Sequence, residues 1–458
     1  MRVPAGIRRA GGRVFDFRSE LGQHGRGMKI VRYTDPDYAE RLEAICKASS
    51  LFDPAIESRV RRIIRQVAEG GDEALVALTR RFDGAALRPG TLRVSEAELA
   101  AARRAVSPRL ARAVRMAQKN IAEHSRRSLR KDWEMRNAQG ARVGEKFDPF
   151  ERVGVYVPGG AAPLVSTALM TIVLAKTAGC REIVVCTPCS RDGTVNPALL
   201  YAAQRAGATE IYRVGGAQAI AAMALGSESI APAQKIFGPG NAYVVAAKRL
   251  LFGYVAVDLL PGPSELLVVA DETAPARFVA ADLLAQAEHG SGHERVWLAT
   301  PSAALIEAVQ EEMEQQLKTL SRRELIARTM EANGWAIQVK DLDEAAAAAN
   351  RLAPEHCEIM VKNPRSMLKA IKTAGAIFVG PWSPTVLGDY VAGPSHTLPT
   401  GGAGRSFAGL TADQFQRRTS VIQYSRAALK ASIEAVETFA ELEGLSAHGR
   451  SATLRLES

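Results

Sequence analysis

The first third of the chain has apolar residues at the spacing of amphipathic helices. One apolar stripe comprises Val60, Ile63, Ile64 and Val67. A second helix is predicted to start at Ser95, because Ser95 and Glu98 have the spacing of a capping box. A third helix starts after Ser107, and its apolar face comprises Leu110, Val114, Ala117 and Ile121. The pattern therefore predicts a mainly helical N-terminal region.

The pattern changes at Arg152, where short apolar stretches begin to alternate with helical ones. The predicted strands are Val153-Gly-Val-Tyr-Val, Glu182–Cys186, Glu210–Val214 and Lys235–Phe237. The predicted helices are Ser166–Ala178, Asn196–Ala206, Ala217–Leu225 and Val244–Leu251. Such alternation predicts a parallel sheet with helices on both faces. Glycines directly after these strands indicate open backbone at the carboxyl edge of the sheet, where such folds bind ligands.

Those glycines do not form the standard dinucleotide fingerprint, because the chain contains no Gly-x-Gly-x-x-Gly. The Gly-Gly turns after the strands leave two interpretations open. They can expose backbone N–H groups to a pyrophosphate, or they can simply make tight turns.

The strand and helix alternation resumes after Ser264. Predicted strands at Glu265–Ala270 and Arg295–Leu298 flank a helix that carries Gln286 and His289. A further strand follows Glu355 and His356, beyond a helix that starts at Ala303. The last predicted helix carries Leu429, Ile433, Val436 and Ala440. The tail Thr453-Leu-Arg-Leu is predicted to be a strand, in an arm that docks on a neighbouring molecule.

The length and charge of the chain exclude some classes of protein. With 458 residues, it is long enough for two or more domains. It has no apolar run long enough to span a bilayer, so we expect no membrane partner. Of the formal net charge of +10, residues 1–27 contribute +4, through six Arg against Asp16 and Glu20. The other charges are scattered rather than gathered in a basic stripe, so we expect no nucleic-acid partner.

Residues 1–27 resemble a transit peptide only in being rich in Arg and poor in acids. They contain little Ser and no clear amphipathic repeat, and Met28 is an equally good start of the protein. The sequence therefore predicts a disordered extension without a targeting signal.

Five cysteines include Cys186 and Cys189, whose spacing occurs in zinc sites and redox sites. No second pair completes a zinc knuckle, and Cys186 ends a predicted strand. We expect reduced thiols in a cytoplasmic protein, with a redox role as the alternative.

Gln286 and His289 are three residues apart in a predicted helix, so their side chains share one face near its end. Imidazole nitrogen and amide oxygen can bind zinc, so the pair can supply half of a four-coordinate site. The alternative is an ordinary surface pair at a capped helix end. Asp389 and His448 extend the pair to a thiolate-free ligand set. Such a set favours a catalytic or substrate-orienting metal over a structural one.

Eight motifs follow one another along the chain. They are Val153-Gly-Val-Tyr-Val-Pro-Gly-Gly, Val214-Gly-Gly-Ala-Gln-Ala-Ile, Ile236-Phe-Gly-Pro-Gly-Asn-Ala, Gly262-Pro-Ser-Glu, Gln286-Ala-Glu-His, Ala353-Pro-Glu-His, Gly388-Asp-Tyr and Leu445-Ser-Ala-His. In residues and order they resemble the histidinol dehydrogenase family, and the resemblance extends from Met28 to the C-terminus. It implies a zinc-containing enzyme that uses two NAD to oxidise L-histidinol to L-histidine through L-histidinaldehyde.

The resemblance also implies roles for individual residues. The implied zinc ligands are Gln286, His289, Asp389 and His448. The implied NAD contacts are Tyr156, Gln218 and Asn241. The implied substrate contacts are Ser264, His356, His396, Glu443 and the four metal ligands. The catalytic pair would be Glu355 and His356, with His356 taking the hydroxyl proton and Glu355 activating the water that hydrates the aldehyde.

The fold implied by the resemblance is α/β, with two Rossmann-like parallel-sheet domains of the aldehyde-dehydrogenase type. After the extension at 1–27, residues 28–50 would form an N-terminal arm. The first domain would comprise 51–154 and 264–408 and carry the zinc and catalytic residues, and 155–263 would form the NAD-binding domain. Residues 409–458 would be an arm exchanged between the subunits of a homodimer, so that Glu443 and His448 reach the partner's site.

Three alternatives stay open beside this interpretation. Cys357 adjoins the catalytic pair, but a nucleophilic role is not expected, because in a strand it points away from His356. A paralogue acting on another amino- or sulfo-alcohol is possible, since Ser395 stands where the family often has Asn, although Glu443 suits an ammonium group better than a sulfonate. A non-catalytic metal-binding protein is disfavoured by the intact Glu355 and ligand set.

Overall fold

The computed structural model describes residues 27–47, 53–159 and 163–457. The predicted extension at 1–27 lies outside these ranges apart from Gly27. In chain order, the strands are β1 (Lys29–Arg32), β2 (Trp133–Arg136), β3 (Arg142–Pro149), β4 (Arg152–Tyr156), β5 (Glu182–Cys186), β6 (Glu210–Tyr212), β7 (Lys235–Phe237), β8 (Ala256–Val257), β9 (Glu265–Ala270), β10 (Arg295–Thr300), β11 (Gly334–Gln338), β12 (His356–Met360), β13 (Ala376–Val379) and β14 (Gln416–Gln423).

Helices occur in every part of the described chain. They are α1 (Tyr38–Cys46), α2 (Pro54–Phe82), α3 (Glu96–Ala105), α4 (Pro108–Ser128), α5 (Val165–Ala178), α6 (Pro197–Ala206), α7 (Gly216–Leu225), α8 (Ala242–Leu251), α9 (Ala276–Ala287), α10 (Ala303–Leu317), α11 (Arg323–Asn333), α12 (Leu342–Leu352), α13 (Pro364–Ala370), α14 (Thr385–Tyr390), α15 (Arg426–Lys430), α16 (Ile433–Leu442) and α17 (Ser446–Glu457). The capping box predicted at Ser95 is present, and it starts α3.

Two parallel sheets form the framework, as the alternation of strands and helices predicts. One has six strands in the order β1-β11-β10-β9-β12-β13, and the other has five in the order β6-β5-β4-β7-β8. A third sheet, β14-β3-β2, is antiparallel and was not predicted. The α/β class with two parallel-sheet units is confirmed.

Each parallel sheet is buried on both faces. In β9, Leu266 and Val268 belong to one apolar core, whereas Leu267 and Val269 belong to the core on the opposite face. The five-stranded sheet is likewise covered on both faces. Parallel sheets need such cover because crossover helices pack on both sides, which explains the continuous apolar runs in the sequence.

The packing of the N-terminal helices differs from the predicted domain grouping. Helices α2, α3 and α4 pack against α5, α6, α7 and α8 and so belong with the five-stranded sheet. For example, Val114 and Ile121 of α4 share a core with Val153 of β4. Helices α2, α3 and α4 therefore pack mainly on the five-stranded sheet and not on the sheet formed within 264–408, because their apolar faces are complementary to the former. The predicted arm at 28–50 instead contributes β1 to the edge of the six-stranded sheet.

The predicted strand at the C-terminus is wrong, since residues 446–457 form α17. A short stretch of alternating polar and apolar residues does not separate helix from strand by itself. Contacts with α16 decide the outcome, and Arg426 donates to the Leu456 carbonyl at 2.7 Å.

The cysteines are free throughout the described chain. Cys186 ends β5 as predicted and is fully buried, and burial raises the pKa of the Cys189 thiol to about 11. Protonated thiols at neutral pH do not favour the redox alternative. Separately, none of the helices in the described ranges has the length and hydrophobicity needed to cross a membrane.

A buried ion pair holds the loop between β7 and α8. The side chains of Lys248 and Asp258 are 1% and 0% exposed and are in direct contact. Lys248 also donates to the Gly238 and Leu259 carbonyls, at 3.0 and 2.7 Å, while Asp258 accepts the Gly238 N–H at 2.8 Å. Gly238 has a φ of 112°, and an added Cβ would meet the Tyr156 carbonyl. The pair therefore fixes a loop that only glycine can form at this point.

We expect Lys248→Met to lower the free energy of unfolding by about 3–5 kcal/mol, because the Asp258 carboxylate would stay buried without its cation. The double variant Lys248→Met with Asp258→Asn should lose less, since no unpaired charge remains. Urea unfolding followed by circular dichroism measures both losses. Equal losses would contradict this explanation.

Candidate active site

The predicted catalytic residues lie at the amino edge of the six-stranded sheet. Strands β9 and β12 are parallel neighbours, with His356 opposite Leu266. Ser264 directly precedes β9, and Glu355 directly precedes β12, so the two residues become neighbours. Helix α9 connects the parallel strands β9 and β10 and must run back across the sheet. Its C-terminal end therefore brings Gln286 to the same edge.

The Glu355 carboxyl is held by two donors from the adjacent strand. The Ser264 hydroxyl donates to its Oε2 at 2.5 Å, and the Glu265 backbone N–H donates to the same oxygen at 2.9 Å. The side chain is 9% exposed. Burial raises the pKa of Glu355 to about 7 and outweighs these hydrogen bonds, which lower it. This carboxyl can therefore both give and accept a proton near neutral pH.

The His356 ring is oriented by the backbone of β9. Its Nδ1 lies 2.9 Å from the Glu265 carbonyl oxygen, which can only accept, so Nδ1 carries the proton in the neutral ring. Its Nε2 lies 3.8 Å from Asp389 Oδ1. Burial lowers the pKa of His356, although the Asp389 carboxylate opposes this. The ring is therefore neutral at physiological pH, with Nε2 free to accept a proton.

Asp389 and His396 complete one side of the cluster. His396 Nδ1 lies 3.1 Å from the Asp389 carbonyl oxygen and 3.9 Å from its Oδ1. His396 Nε2 lies 3.3 Å from the hydroxyl of Thr167, at the start of α5. Helix α5 follows β4, so this contact joins the carboxyl edge of the five-stranded sheet to the amino edge of the six-stranded sheet. Burial lowers the pKa of His396 to about 4.

The amide of Gln286 is an orphaned polar group at this edge. The residue is 2% exposed, and among the described residues neither Oε1 nor Nε2 has a hydrogen-bond partner. A buried polar group without a hydrogen-bond partner lowers the free energy of unfolding by about 1–3 kcal/mol. Such a group therefore indicates a position where a ligand can bind. His289 lies in the turn just beyond the end of α9 and is exposed, with Nδ1 3.2 Å from the Gln286 carbonyl oxygen. The helix predicted to carry both residues therefore ends before His289, although this hydrogen bond keeps the two residues adjacent.

These donors fit a metal ion in their chemistry. The amide oxygen of Gln286, the imidazole of His289 and the carboxylate of Asp389 are nitrogen and oxygen ligands of the types that Zn²⁺ binds. Among the described side chains, no group of three or more His, Cys, Asp and Glu residues is placed to hold a metal ion. A complete site therefore needs the Gln286 amide and a ligand from outside this cluster.

Glu443 and His448 are not brought to the cluster within the single chain. Glu443 follows the last residue of α16, and His448 lies in the first turn of α17. Both are exposed. His448 lines a separate surface cavity of about 510 Å³ together with Tyr424 and Arg455.

The three predicted cofactor residues line one cavity of about 1040 Å³ on the five-stranded sheet. Tyr156 ends β4 and accepts the Gly216 N–H through its hydroxyl at 3.0 Å. Gln218 lies in the first turn of α7, and Asn241 caps the start of α8. All three therefore lie at the carboxyl edge, where the glycines after the strands predict a ligand.

Two contributors to the site were missed by the sequence analysis. Glu265 holds both Glu355 and His356, but it does so through its backbone, which leaves no signal in residue type. Thr167 reaches His396 from the other sheet. Its position at the start of a helix after a Gly-rich turn was the available signal.

Cys357 lies in β12 between His356 and Glu358 and faces the apolar core instead of the site. Burial raises the pKa of its thiol well above the usual range. Both observations agree with the expectation that Cys357 is not a nucleophile.

Comparison with known proteins gives a consistent result. A family model described as histidinol dehydrogenase matches residues 47–456. The chain is 45% identical over 430 residues to a histidinol dehydrogenase of Heliobacterium mobile, covering 94% of this chain and 100% of the relative. It is 48% identical over 402 residues to that of Moorella thermoacetica, covering 88% and 95% of the two chains.

A crystal structure of histidinol dehydrogenase from Elizabethkingia anophelis matches the fold with a TM-score of 0.90. The match has 35% identity and covers 95% of this chain and 99% of that chain. The family model and these relatives span almost the whole of both sheets and the site between them. The chain belongs to the histidinol dehydrogenase family.

Proposed function

We propose that this chain oxidises L-histidinol to L-histidine in two steps through L-histidinaldehyde. The observation that carries the proposal is the convergence of the orphaned Gln286 amide, a neutral His356 and the Asp389 carboxylate at one sheet edge. Membership of the family supports the choice of substrate, because the relatives compared above are histidinol dehydrogenases.

Gln286, His289 and Asp389 would hold Zn²⁺, with His448 from a second copy of the chain as the fourth ligand. Bound zinc would hold the imidazole and the amine of histidinol in place for reaction. Two features support this arrangement: the Gln286 amide has no hydrogen-bond partner within the described ranges, and His448 is exposed on α17. The enzyme would accordingly be a homodimer with shared sites.

His356 acts as the base in the alcohol step. Its Nδ1 proton is engaged with the Glu265 carbonyl, so Nε2 is the free basic atom. Because burial lowers the pKa of the ring, His356 is neutral before reaction and accepts the hydroxyl proton of the substrate through Nε2.

Glu355 acts in the aldehyde step. Its carboxylate accepts a proton from the water that adds to the aldehyde and so forms the hydrate that is oxidised next. Ser264 and the Glu265 N–H fix one carboxyl oxygen, which leaves Oε1 for the water. Ser264 therefore contributes by orienting Glu355 as well as by lining the substrate site. His396 and Glu443 of the second copy would bind the remaining polar groups of the substrate.

NAD would occupy the cavity lined by Tyr156, Gln218 and Asn241 and accept the hydride of each oxidation. The backbone N–H groups at the start of α7 suit its pyrophosphate, because a helix N-terminus favours a negative charge. Tyr156 supports this use indirectly, since its hydroxyl holds Gly216 at the start of that helix.

We expect two NADH per L-histidinol from the purified, zinc-loaded protein, and none after chelation. Glu355→Gln should release about one NADH per histidinol. The aldehyde still forms in this variant, but no carboxylate is present to activate the water that hydrates it, so the second oxidation does not occur. NADH absorbance under limiting histidinol measures the count. Zinc and NAD binding without turnover of histidinol would instead point to another amino- or sulfo-alcohol as substrate.

The rate of aldehyde oxidation should rise with pH through about 7 in the wild-type protein, because the pKa of Glu355 is about 7 and its deprotonated form is the base. This dependence is measured by adding histidinaldehyde directly and following the rate of NADH formation from about pH 6 to pH 8. A profile of the same shape in Glu355→Gln would exclude Glu355 as its origin.

Gln286→Leu should weaken metal binding by about 10- to 100-fold without lowering the thermal stability of the metal-free protein. The buried amide has no hydrogen-bond partner to lose in the part of the chain that the structure describes, and an apolar side chain of similar shape removes an unsatisfied group. Zinc titration and thermal unfolding in chelator measure the two effects. A large loss of stability in chelator would mean that the amide has a structural partner.

Inactive variants His448→Ala and Gln286→Leu should restore activity when they are co-expressed with different tags and purified as a heterodimer. In shared sites, one of the two sites then has a full set of ligands, so about half of the wild-type activity per dimer is expected. If His448 served its own chain, the heterodimer would stay inactive.

A further inference from the structure

A buried carboxyl pair lies beside the proposed active site and has no role in the steps above. Glu358 of β12 is 1% exposed, and its side chain lies within hydrogen-bonding range of the Asp282 carboxyl on α9. Thr385, the first residue of α14, donates its backbone N–H and its hydroxyl to Glu358 Oε1, at 2.7 and 2.6 Å. Three separate segments therefore meet at one side chain.

Each member of this cluster is one structural repeat from a residue of the site. On a helix the repeat is one turn of four residues, and on a strand it is two residues, so both members of each pair share a face. The pairs are Asp282 and Gln286 on α9, Thr385 and Asp389 on α14, and Glu358 and His356 on β12. The cluster thus joins the three elements that carry the site, one layer behind it.

The hydrogen bonding of the pair requires a proton between the two carboxyls. Glu358 Oε1 is already used by Thr385, while Oε2 is buried and receives no conventional donor from the described residues. Its neighbour is the Asp282 carboxyl, which only accepts when it is ionised. Two ionised carboxylates in contact repel each other, whereas a single proton on Glu358 satisfies both. Burial and the Asp282 charge both raise the pKa of Glu358, which agrees with this arrangement.

Helix α14 is held at its first turn by this contact. It has six residues, and a helix of that length is not stable by itself. Its residues Val386, Leu387 and Tyr390 are exposed. The bonds from Thr385 to Glu358 hold its first turn, and the carbonyl of Asp389 near its end meets His396.

We propose that Asp282 and Glu358, sharing one proton, are positioning residues that set the spacing of Gln286, His356 and Asp389. The inference rests on the proposed metal-dependent function. Partners behind metal ligands fix the orientation of those ligands, and their loss typically costs about 10- to 100-fold in metal affinity or activity.

The test compares Glu358→Met with Glu358→Gln, using Co²⁺ as the probe. In Glu358→Gln, the amide oxygen still accepts from Thr385 and the NH₂ group donates to Asp282, as a protonated Glu358 does. Glu358→Met has a similar length but makes neither bond. We expect Co²⁺ binding, followed by its visible absorption, to be about 10- to 100-fold weaker in Glu358→Met and near wild type in Glu358→Gln.

Two further measurements separate positioning from general loss of structure. NAD binding should be unchanged in both variants, because Tyr156, Gln218 and Asn241 lie on the other sheet. Asp72→Asn is the matched control. Asp72 is also buried, at 4% exposure, and its carboxylate accepts hydrogen bonds from the hydroxyls of Ser227 and Ser229 near α7. That variant should lose stability but keep its Co²⁺ affinity.

Asp282 gives an independent comparison at a half-buried position, where folding is less at risk. Asp282→Asn can keep the bond to Glu358 and should bind Co²⁺ normally, whereas Asp282→Ala should bind it weakly. If Glu358→Met and Asp282→Ala bind Co²⁺ as tightly as the wild-type protein, the inference is overturned. It is also overturned if Glu358→Gln binds Co²⁺ as weakly as Glu358→Met.

If the wild-type protein itself fails to bind Co²⁺ or to oxidise histidinol, the proposed function is overturned as well. That result differs from a loss of Co²⁺ binding that is confined to the variants.

Discussion

The site depends on one backbone residue, Glu265, which bonds to both members of the proposed catalytic pair. Its N–H donates to the Glu355 carboxyl, and its carbonyl oxygen meets Nδ1 of His356. Both bonds follow from the pairing of β9 with β12, which places these backbones side by side. The orientation of the carboxyl and of the imidazole is therefore set by the sheet and does not require a flexible loop. A change in the register of these strands would disturb both groups together.

Burial at this edge acts on both groups in the same sense. It favours the neutral form of each, so that it raises the pKa of Glu355 and lowers that of His356. A neutral imidazole and a carboxyl that titrates near neutral pH are suited to successive proton transfers. The same burial leaves the Gln286 amide without a hydrogen-bond partner among the described residues, which is why the proposed function assigns a ligand to it.

The two groups of predicted site residues lie at opposite kinds of edge on the two parallel sheets. The cavity with Tyr156 and Asn241 is at the carboxyl edge of the five-stranded sheet, whereas His356 is at the amino edge of the six-stranded sheet. The contact between Thr167 and His396 joins the two edges. Under the proposed function, the substrate and NAD would therefore be bound by different sheets, close to the contact that joins them. Helices α2, α3 and α4 pack on the five-stranded sheet and enlarge its core, whereas α1 packs on the six-stranded sheet.

The sequence by itself determined the features that depend on local periodicity or on a short motif. The alternation of strands and helices and the motifs with Glu355 and His356 needed only neighbouring residues. The common helical face predicted for Gln286 and His289 is not present in that form, because α9 ends at Ala287, with Gln286 buried and His289 exposed in the turn that follows. Tertiary structure alone decided which sheet received α2 to α4, whether residues 446–457 formed a helix, and which carboxyl Thr385 would bond. Those outcomes depend on contacts between segments that are far apart in the chain. Strand order and packing determine these contacts, and the local spacing of residues does not.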